Sequence, residues 1–426
     1  MTKNDKILTL VEGRTVNYRT INDMKQQTAD AGWGFKLLGQ IPHDEVSCCA
    51  FKKYFSDYVL WRDLGDDNNA VEIARIIKWL DLNENILTVN THLVGGRGFS
   101  SDKFYQHGLF GMDPELRVHT PVVFLAKNKK DIMDLVRGGK LKFPIVIKER
   151  FGTAGKGIVL IETEKDLTNE VFDKMGAVMV EPYIEADYDW RVFVVGGVAV
   201  GAMRKTIDES DPGNFVAKSA GKNKVKEEDP EILKKISRIA CKMAAVSGLE
   251  YAGCDIIREK KSGRFFVLET NNSAGWQNHF NEVTGMNMGM TLLDWFEDMS
   301  VLKEKGFYKG VLQYMKNRMK YLDSETRKLF ESILDWRADI KNVKGNDLNS
   351  ALQRAYRSVS NGEDANKYKW LLEEVERRPL CWAGAFIGGN IWGKDGILED
   401  SIMPTACYLA IREKYDKIVG VNKGKL

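Results

Sequence analysis

Short apolar runs, bounded by polar or glycine-rich stretches, alternate along the chain with segments whose apolar residues recur every three or four positions. Strands are expected at 6–11, 58–61 and 86–89. Helices are expected between them, at 18–31 and at 69–80, where Ala70, Ile73, Ala74, Ile77 and Leu80 share one face. Strand and helix in alternation argue for a small α/β layer on a parallel sheet. A helix at 101–109, a strand at 120–125 and a helix at 130–137 follow. Residues 143–162 then read as strand, loop, strand: Ile145, Val146 and Ile147 form one β-branched run, and 158–161 form another. Beyond lie a strand at 177–183 and a hairpin, 192–195 with 198–203, turning at Gly196-Gly197. Segment 207–228 reads as a polar loop, and 230–247 as a helix with Pro230 in its first turn. Strands at 253–257 and 265–268 and a helix at 292–302 complete this part. Helices at 324–340, 349–359 and 367–378 precede the aromatic, glycine-rich segment 380–393, which reads as buried packing or as a wall of a substrate site.

A chain of 426 residues exceeds what one core usually organises. The pattern sets off an N-terminal α/β domain at 1–100; a second domain at 101–300 and a helical extension at 301–426 are the bounds implied by the family resemblance of the motifs described below. Net charge is only +3, so no global field argues for nucleic acid or membrane. The basic residues between Lys303 and Lys320 are the sole support for a nucleic-acid partner, and a solvated helix face explains them equally well. No signal-peptide core and no bilayer-length apolar run is found. The six cysteines lack metal spacing and the five histidines form no ligand pair. A cytoplasmic protein with reduced thiols is the expectation.

Two stretches carry chemistry. Between the strands of 143–162, Gly152, Gly155 and Gly157 leave backbone N–H groups accessible, flanked by Lys148, Arg150 and Lys156. Such a loop can close over phosphate; a surface hairpin with a basic tip is the bland alternative. It is neither a Walker loop nor a dinucleotide fingerprint. The second stretch is the strand pair near 253–271. Glu269 and Asn271 point to one face, and Asp255 lies across the hairpin from them. Two carboxylates and an amide suit a hard cation bound with phosphate. Ordinary hairpin charges paired with Lys or Arg are the alternative, but both acids interrupt apolar runs, where an unpartnered carboxylate is costly.

The ordered segments SDKFYQHGLF, FPIVIKERFGTAGKGIVLIE, VMVEPYIEADYDWRVFVVGG, AGCDII and FFVLETNNSAGW resemble the ATP-grasp superfamily, nearest its RimK-like glutamate-ligase branch and the D-alanine–D-alanine ligases. The resemblance spans residues 58–300. It implies an ATP-grasp fold: two α+β lobes around ATP, behind a small α/β domain and before the helical extension. It implies that Lys103 and Lys148 hold phosphate under a lid formed by Gly152, Thr153, Ala154, Gly155 and Gly157. Glu181, Tyr183 and Ile184 would line the adenine edge, and Asp189, or Asp187 beside it, the ribose. Asp255, Glu269 and Asn271 match magnesium ligands; Arg204 and Lys218 match basic residues near the transferring phosphate. Two departures stand out. Ala274 replaces a proline of the family, and only Lys218 and Lys222 stand where the glutamate ligases carry an arginine-bearing loop.

The implied activity is ATP-dependent ligation of a carboxylate to an amine through an acyl phosphate, with ATP and two magnesium ions as cofactors and manganese as the alternative metal. Small-molecule or peptide carboxylates and amines are the expected partners, and a homo-oligomer is left open. The alternatives are a phosphotransferase, a non-catalytic ATP-binding module with a partner-binding C-terminal domain, and a ligase acting on a peptide or modified nucleic acid.

Overall fold

The computed structural model describes residues 6–12, 18–38, 55–56, 58–63, 86–90, 102–151, 157–206, 223–276 and 280–318, with short pieces between 358 and 416. The expected helix at 69–80, the later helices at 324–340 and 349–359 for the most part, and segment 380–393 lie outside these residues.

The described residues form three four- or five-stranded sheets. The first contains β1 (Ile7–Glu12), β2 (Gly34–Leu38), β3 (Tyr58–Asp63) and β4 (Leu87–Val89), parallel and in the order β2-β1-β3-β4. Helix α1 (Tyr18–Asp30) connects β1 to β2 and contributes Ile21 and Met24 to the core. The parallel layer expected from the sequence is present. β2, a short edge strand, was not foreseen.

The second sheet contains β5 (Phe124–Ala126), β6 (Ile145–Glu149), β7 (Ile158–Ile161) and β8 (Val178–Pro182). It is antiparallel, in the order β5-β8-β6-β7. Helix α2 (Lys103–Met112) precedes it, and α3 (Lys129–Arg137) and α4 (Glu170–Met175) cover one face. Ile145, Ile147, Val178 and Val180 point to that face and pack with Ile132, Met133 and Phe172.

The third sheet contains β9 (Ala186–Val195), β10 (Val198–Thr206), β11 (Asn223–Lys226), β12 (Tyr251–Glu259) and β13 (Phe265–Asn271). It is antiparallel, in the order β11-β10-β9-β12-β13. The β9–β10 hairpin turns at Gly196 and Gly197, both at positive φ. A Cβ on Gly196 would also lie 2.2 Å from the Trp295 indole nitrogen, so only glycine fits there. Helix α5 (Pro230–Val246) is capped by the Asp229 carboxylate, which accepts from the N–H groups of Glu231 and Ile232. It packs Ile236, Ala240 and Met243 against Trp190, Val192, Val194, Cys254, Ile256 and Val267.

Helix α6 (Met288–Arg318) is longer than expected and runs through the proposed boundary at residue 300. With Trp276 and Phe280 it joins the first sheet to the third in one core that also holds Tyr58, Phe193, Tyr251 and Trp295. Among the described residues no helix is long and apolar enough to cross a membrane.

Candidate functional site

Strand alternation decides which side chains leave the cores. On the second sheet, Val146 and Lys148 of β6 and Met179 and Glu181 of β8 point away from α3. Lys148 and Glu181 are 4–5% exposed at their side chains, with Nζ 2.5 Å from Oε1. The second Glu181 oxygen is buried without a hydrogen-bond partner. Val146, Ile158, Leu160 and Tyr183 form a small apolar shelf on this side, and the Tyr183 N–H donates to the Pro144 carbonyl at 3.0 Å. Ile184, next along the connection to β9, packs instead with Ala186, Ile257, Phe266 and Leu268 of the third sheet.

On the third sheet the face opposite α5 carries the polar cluster. In register, Asp255 of β12 lies between Arg191 of β9 and Glu269 of β13. The register shifts between Asp255 and Ile256, leaving Leu268 as an extra residue in β13. Val267 faces the α5 core with Ile256, yet after this bulge Glu269 faces the other way, opposite Asp255. The Asn271 amide then donates to Asp255 at 3.1 Å and to Glu269 at 3.2 Å. The three expected ligands are therefore together.

The cations around them arrive from elsewhere in the chain. Arg191 clamps Asp255 with Nε at 2.5 Å and Nη2 at 2.6 Å. Lys205 of β10 lies 2.9 Å from Asp189 and 3.9 Å from Asp255. Lys103 lies 3.1 Å from Glu269. Burial by itself raises the Asp255 carboxyl, but Arg191 and then Lys205 outweigh it and hold it below the ordinary carboxylate range. Asp189 goes the other way: burial raises it more than Lys205 lowers it. One Asp189 oxygen is buried without a hydrogen-bond partner.

Helix α2 links the two faces. Asp102 caps it, accepting from the N–H groups of Phe104 and Tyr105, and also pairs with Arg150 just after β6. The Lys103 N–H donates to the Arg150 carbonyl at 3.0 Å. Further along, the Gln106 amide exchanges hydrogen bonds with the Thr270 backbone at 3.0 and 2.9 Å. The His107 ring nitrogen Nε2 lies 2.8 Å from the Leu268 carbonyl, which assigns its proton to that nitrogen. Nδ1 is buried without a partner. Burial, above all, holds His107 below the ordinary histidine range; Lys148, Glu181 and Glu269 all act on it electrostatically.

Arg204 stands apart from this cluster. It pairs in register with Trp190, on the α5 side of the sheet, and its guanidinium lies over Tyr188 and 3.7 Å from Glu227. Its neighbour Lys205 points to the Asp255 side and joins Arg191 there; neither stands out in the sequence. Strand phase puts Arg191 on the face of Asp189, two residues away, and the β9–β12 register then sets it beside Asp255. Gly157 holds positive φ, and a Cβ there would lie 2.8 Å from Glu149, which explains a glycine at the end of the loop. Gly152, Thr153, Ala154, Gly155 and Lys218 lie outside the described residues, as does the side chain of Asp187.

The donor set suits magnesium: two carboxylates and a side-chain amide are hard oxygen ligands. Among the described residues no group of three or more His, Cys, Asp or Glu is gathered, so further ligands would be water and phosphate oxygens. The cations that the purely structural alternative requires are also present, but Arg191 and Lys103 come from β9 and α2 rather than from the hairpin itself.

Ala274, in the loop after β13, packs against Gly253, where a Cβ would come within 2.6 Å of it, and its carbonyl accepts from the Tyr251 hydroxyl at 2.5 Å. The same loop is held by the first sheet: Arg62 donates to the Ser273 carbonyl at 2.9 Å and lies over the Trp276 ring.

Residues 100–296 match the RimK-like ATP-grasp domain. A probable alpha-L-glutamate ligase of Aliivibrio fischeri (strain MJ11) is 30% identical over 179 residues, covering 41% of this chain and 56% of that protein. One of Stutzerimonas stutzeri (strain A1501) is 33% identical over 192 residues, covering 42% and 58%. The chain thus matches little more than half the length of these curated relatives. Two solved structures share the fold at a TM-score of 0.50. The D-alanine–D-alanine ligase of Bacillus anthracis is 17% identical and covers 71% of this chain and 100% of its own. The ATP-grasp ligase PsnB, complexed with a minimal precursor, Mg and ADP, is 15% identical and covers 69% and 98%.

Proposed function

We propose that this chain, which carries a RimK-like ATP-grasp domain at residues 100–296, is an ATP- and magnesium-dependent ligase that joins a carboxylate to an amine. The observation that carries the proposal is the pairing of two sheet faces through α2: Lys148 and Glu181 beside an apolar shelf on one, and Asp255, Glu269 and Asn271 ringed by Arg191, Lys205 and Lys103 on the other. That arrangement suits a nucleotide whose base lies on the shelf and whose phosphates reach the cations.

In this reading the Val146, Ile158, Leu160 and Tyr183 shelf takes the adenine ring, and Glu181 and the backbone to Ile184 take its polar edge. Lys148 and Lys103 bind phosphate oxygens. Asp189 is retained as the ribose-side acid. On sequence grounds, Gly152, Thr153, Ala154, Gly155 and Gly157 form the loop over the phosphates, and Lys218 approaches the transferring one. Asp255, Glu269 and Asn271 would hold magnesium, which would neutralise phosphate charge. Arg191 and Lys205 take the place first expected for Arg204, orienting the reacting carboxylate and stabilising charge on the transferred group.

A carboxylate oxygen attacks the γ-phosphorus and ADP departs, leaving an acyl phosphate. The amine nitrogen then attacks the acyl carbon, the C–O bond to phosphate breaks, and the amine proton is lost as the amide forms. No side-chain nucleophile is needed. The test is hydroxylamine trapping with ATP and magnesium over amino acids, peptides and their modified forms, read by mass spectrometry. Hydroxamate formation with one ADP per product is expected. Stable phosphorylation of a hydroxyl, without hydroxamate or amide, would overturn the reading in favour of a kinase.

A further inference from the structure

The cationic character of the third sheet continues past the residues given roles above. β11 lies in a stretch whose polar pattern suggests a loop, yet it pairs with β10 and places Lys224 directly opposite Lys205. Cross-strand partners share a face, so Lys224 stands on the side that carries Asp189, Arg191 and Asp255. Like charges placed opposite one another destabilise a sheet unless something answers them. Arg191 has Asp255, Lys205 has Asp189, Lys103 has Glu269, and Lys226 has Glu228 at 3.7 Å. Among the described residues no carboxylate forms an ion pair with Lys224. Its half-buried ammonium is held below the ordinary lysine range by burial first, then by Lys205 and Arg191.

We propose that Lys224 is a specificity-determining residue that binds a second carboxylate on the donor substrate, whose reacting carboxylate lies at Arg191 and Lys205. This rests on the ligase reading and adds the substrate class: a diacid, free or within a peptide, whose two carboxylates are a few carbons apart. Neighbouring strands lie about 4.8 Å apart, so such a chain reaches from the Lys205 strand to the Lys224 strand.

The probe pair is glutarate and its monoamide, which differ by one negative charge at nearly constant shape. Calorimetry on the full chain with magnesium and a non-hydrolysable ATP analogue should show glutarate binding at least about tenfold more tightly, as a charge-assisted contact implies. Lys224→Met should bring that ratio close to one, and Lys224→Arg should retain it; a merely structural role would shift both ligands together. Equal binding of the two probes, no binding of glutarate, or an equal loss for both in Lys224→Met overturns the proposal. Hydroxylamine trapping with the same pair separates the two layers of the argument. Hydroxamate from both probes at equal efficiency would leave the ligase standing and remove the role of Lys224. A glutarate preference that depends on Lys224, without hydroxamate, would do the reverse.

Discussion

Lys148 and Glu181 offer the sharpest test, because two consequences of one substitution can be separated. Both side chains are almost fully buried, at 4% and 5% exposure, and lie 2.5 Å apart. Replacing Lys148 by Met keeps the apolar stem but strands the Glu181 carboxylate, whose second oxygen already lacks a partner. Removing one member of a buried pair costs about 3–5 kcal/mol. For a unit of roughly 200 residues this corresponds to a fall of about 6–20 °C in the melting midpoint. Adding Glu181→Gln removes the stranded charge, so the double variant should melt well above Lys148→Met. Nucleotide affinity should behave differently. Losing the ammonium removes a phosphate contact worth about 1.5–3 kcal/mol, roughly 10- to 150-fold in Kd, and Glu181→Gln cannot restore it. The assay is thermal melting of the four members of the square without nucleotide, beside calorimetry with a non-hydrolysable ATP analogue. If the double variant melts no higher than Lys148→Met, the pair is not the stabilising unit described. If Kd is unchanged by Lys148→Met, the lysine does not hold phosphate.

Asp255→Asn and Glu269→Gln should each abolish ADP production in magnesium while leaving far-ultraviolet circular dichroism intact; wild-type turnover in either would dismiss the metal assignment. Lys205→Met should cost at least tenfold in turnover, whereas Arg204→Met, on the α5 side of the sheet, should mainly lower the melting midpoint; the opposite ranking in a steady-state assay would reverse the assigned faces. His107 is held neutral mainly by burial, so its pKa falls on folding and the unfolded chain takes the extra proton. Its contribution to stability is therefore complete above about pH 6.5 and declines as pH falls below it, by up to about 1.4 kcal/mol per unit. His107→Gln should narrow the gap between melting midpoints at pH 5.5 and pH 8, and an unchanged gap would refute it.

The sequence by itself determined the local elements and singled out three oxygen-bearing side chains that the fold brings together. The β-branched run at 145–147, the Gly196-Gly197 turn and the Ile236, Ile239, Ala240 and Met243 stripe are legible because side-chain period and turn chemistry are properties of neighbours in the chain. Asp255, Glu269 and Asn271 could be singled out because carboxylates inside apolar runs demand a partner. What the partner is, and which way each side chain points, was settled by tertiary structure. β2 and the charged β11 carry little pattern of their own and are strands because neighbouring edges offer hydrogen bonds. The bulge at Leu268 depends on the register with β12; without it, the pairing of Ile256 with Val267 would turn Glu269 toward α5. Phase likewise separates Arg204 from Lys205: adjacent in sequence, they face opposite sides because β10 is fixed between β9 and β11. Arg191 and Lys103 answer Asp255 and Glu269 from 64 and 166 residues away (255 − 191 and 269 − 103). Charge pairing at that separation leaves no trace in local pattern, since it exists only once sheets and α2 have packed.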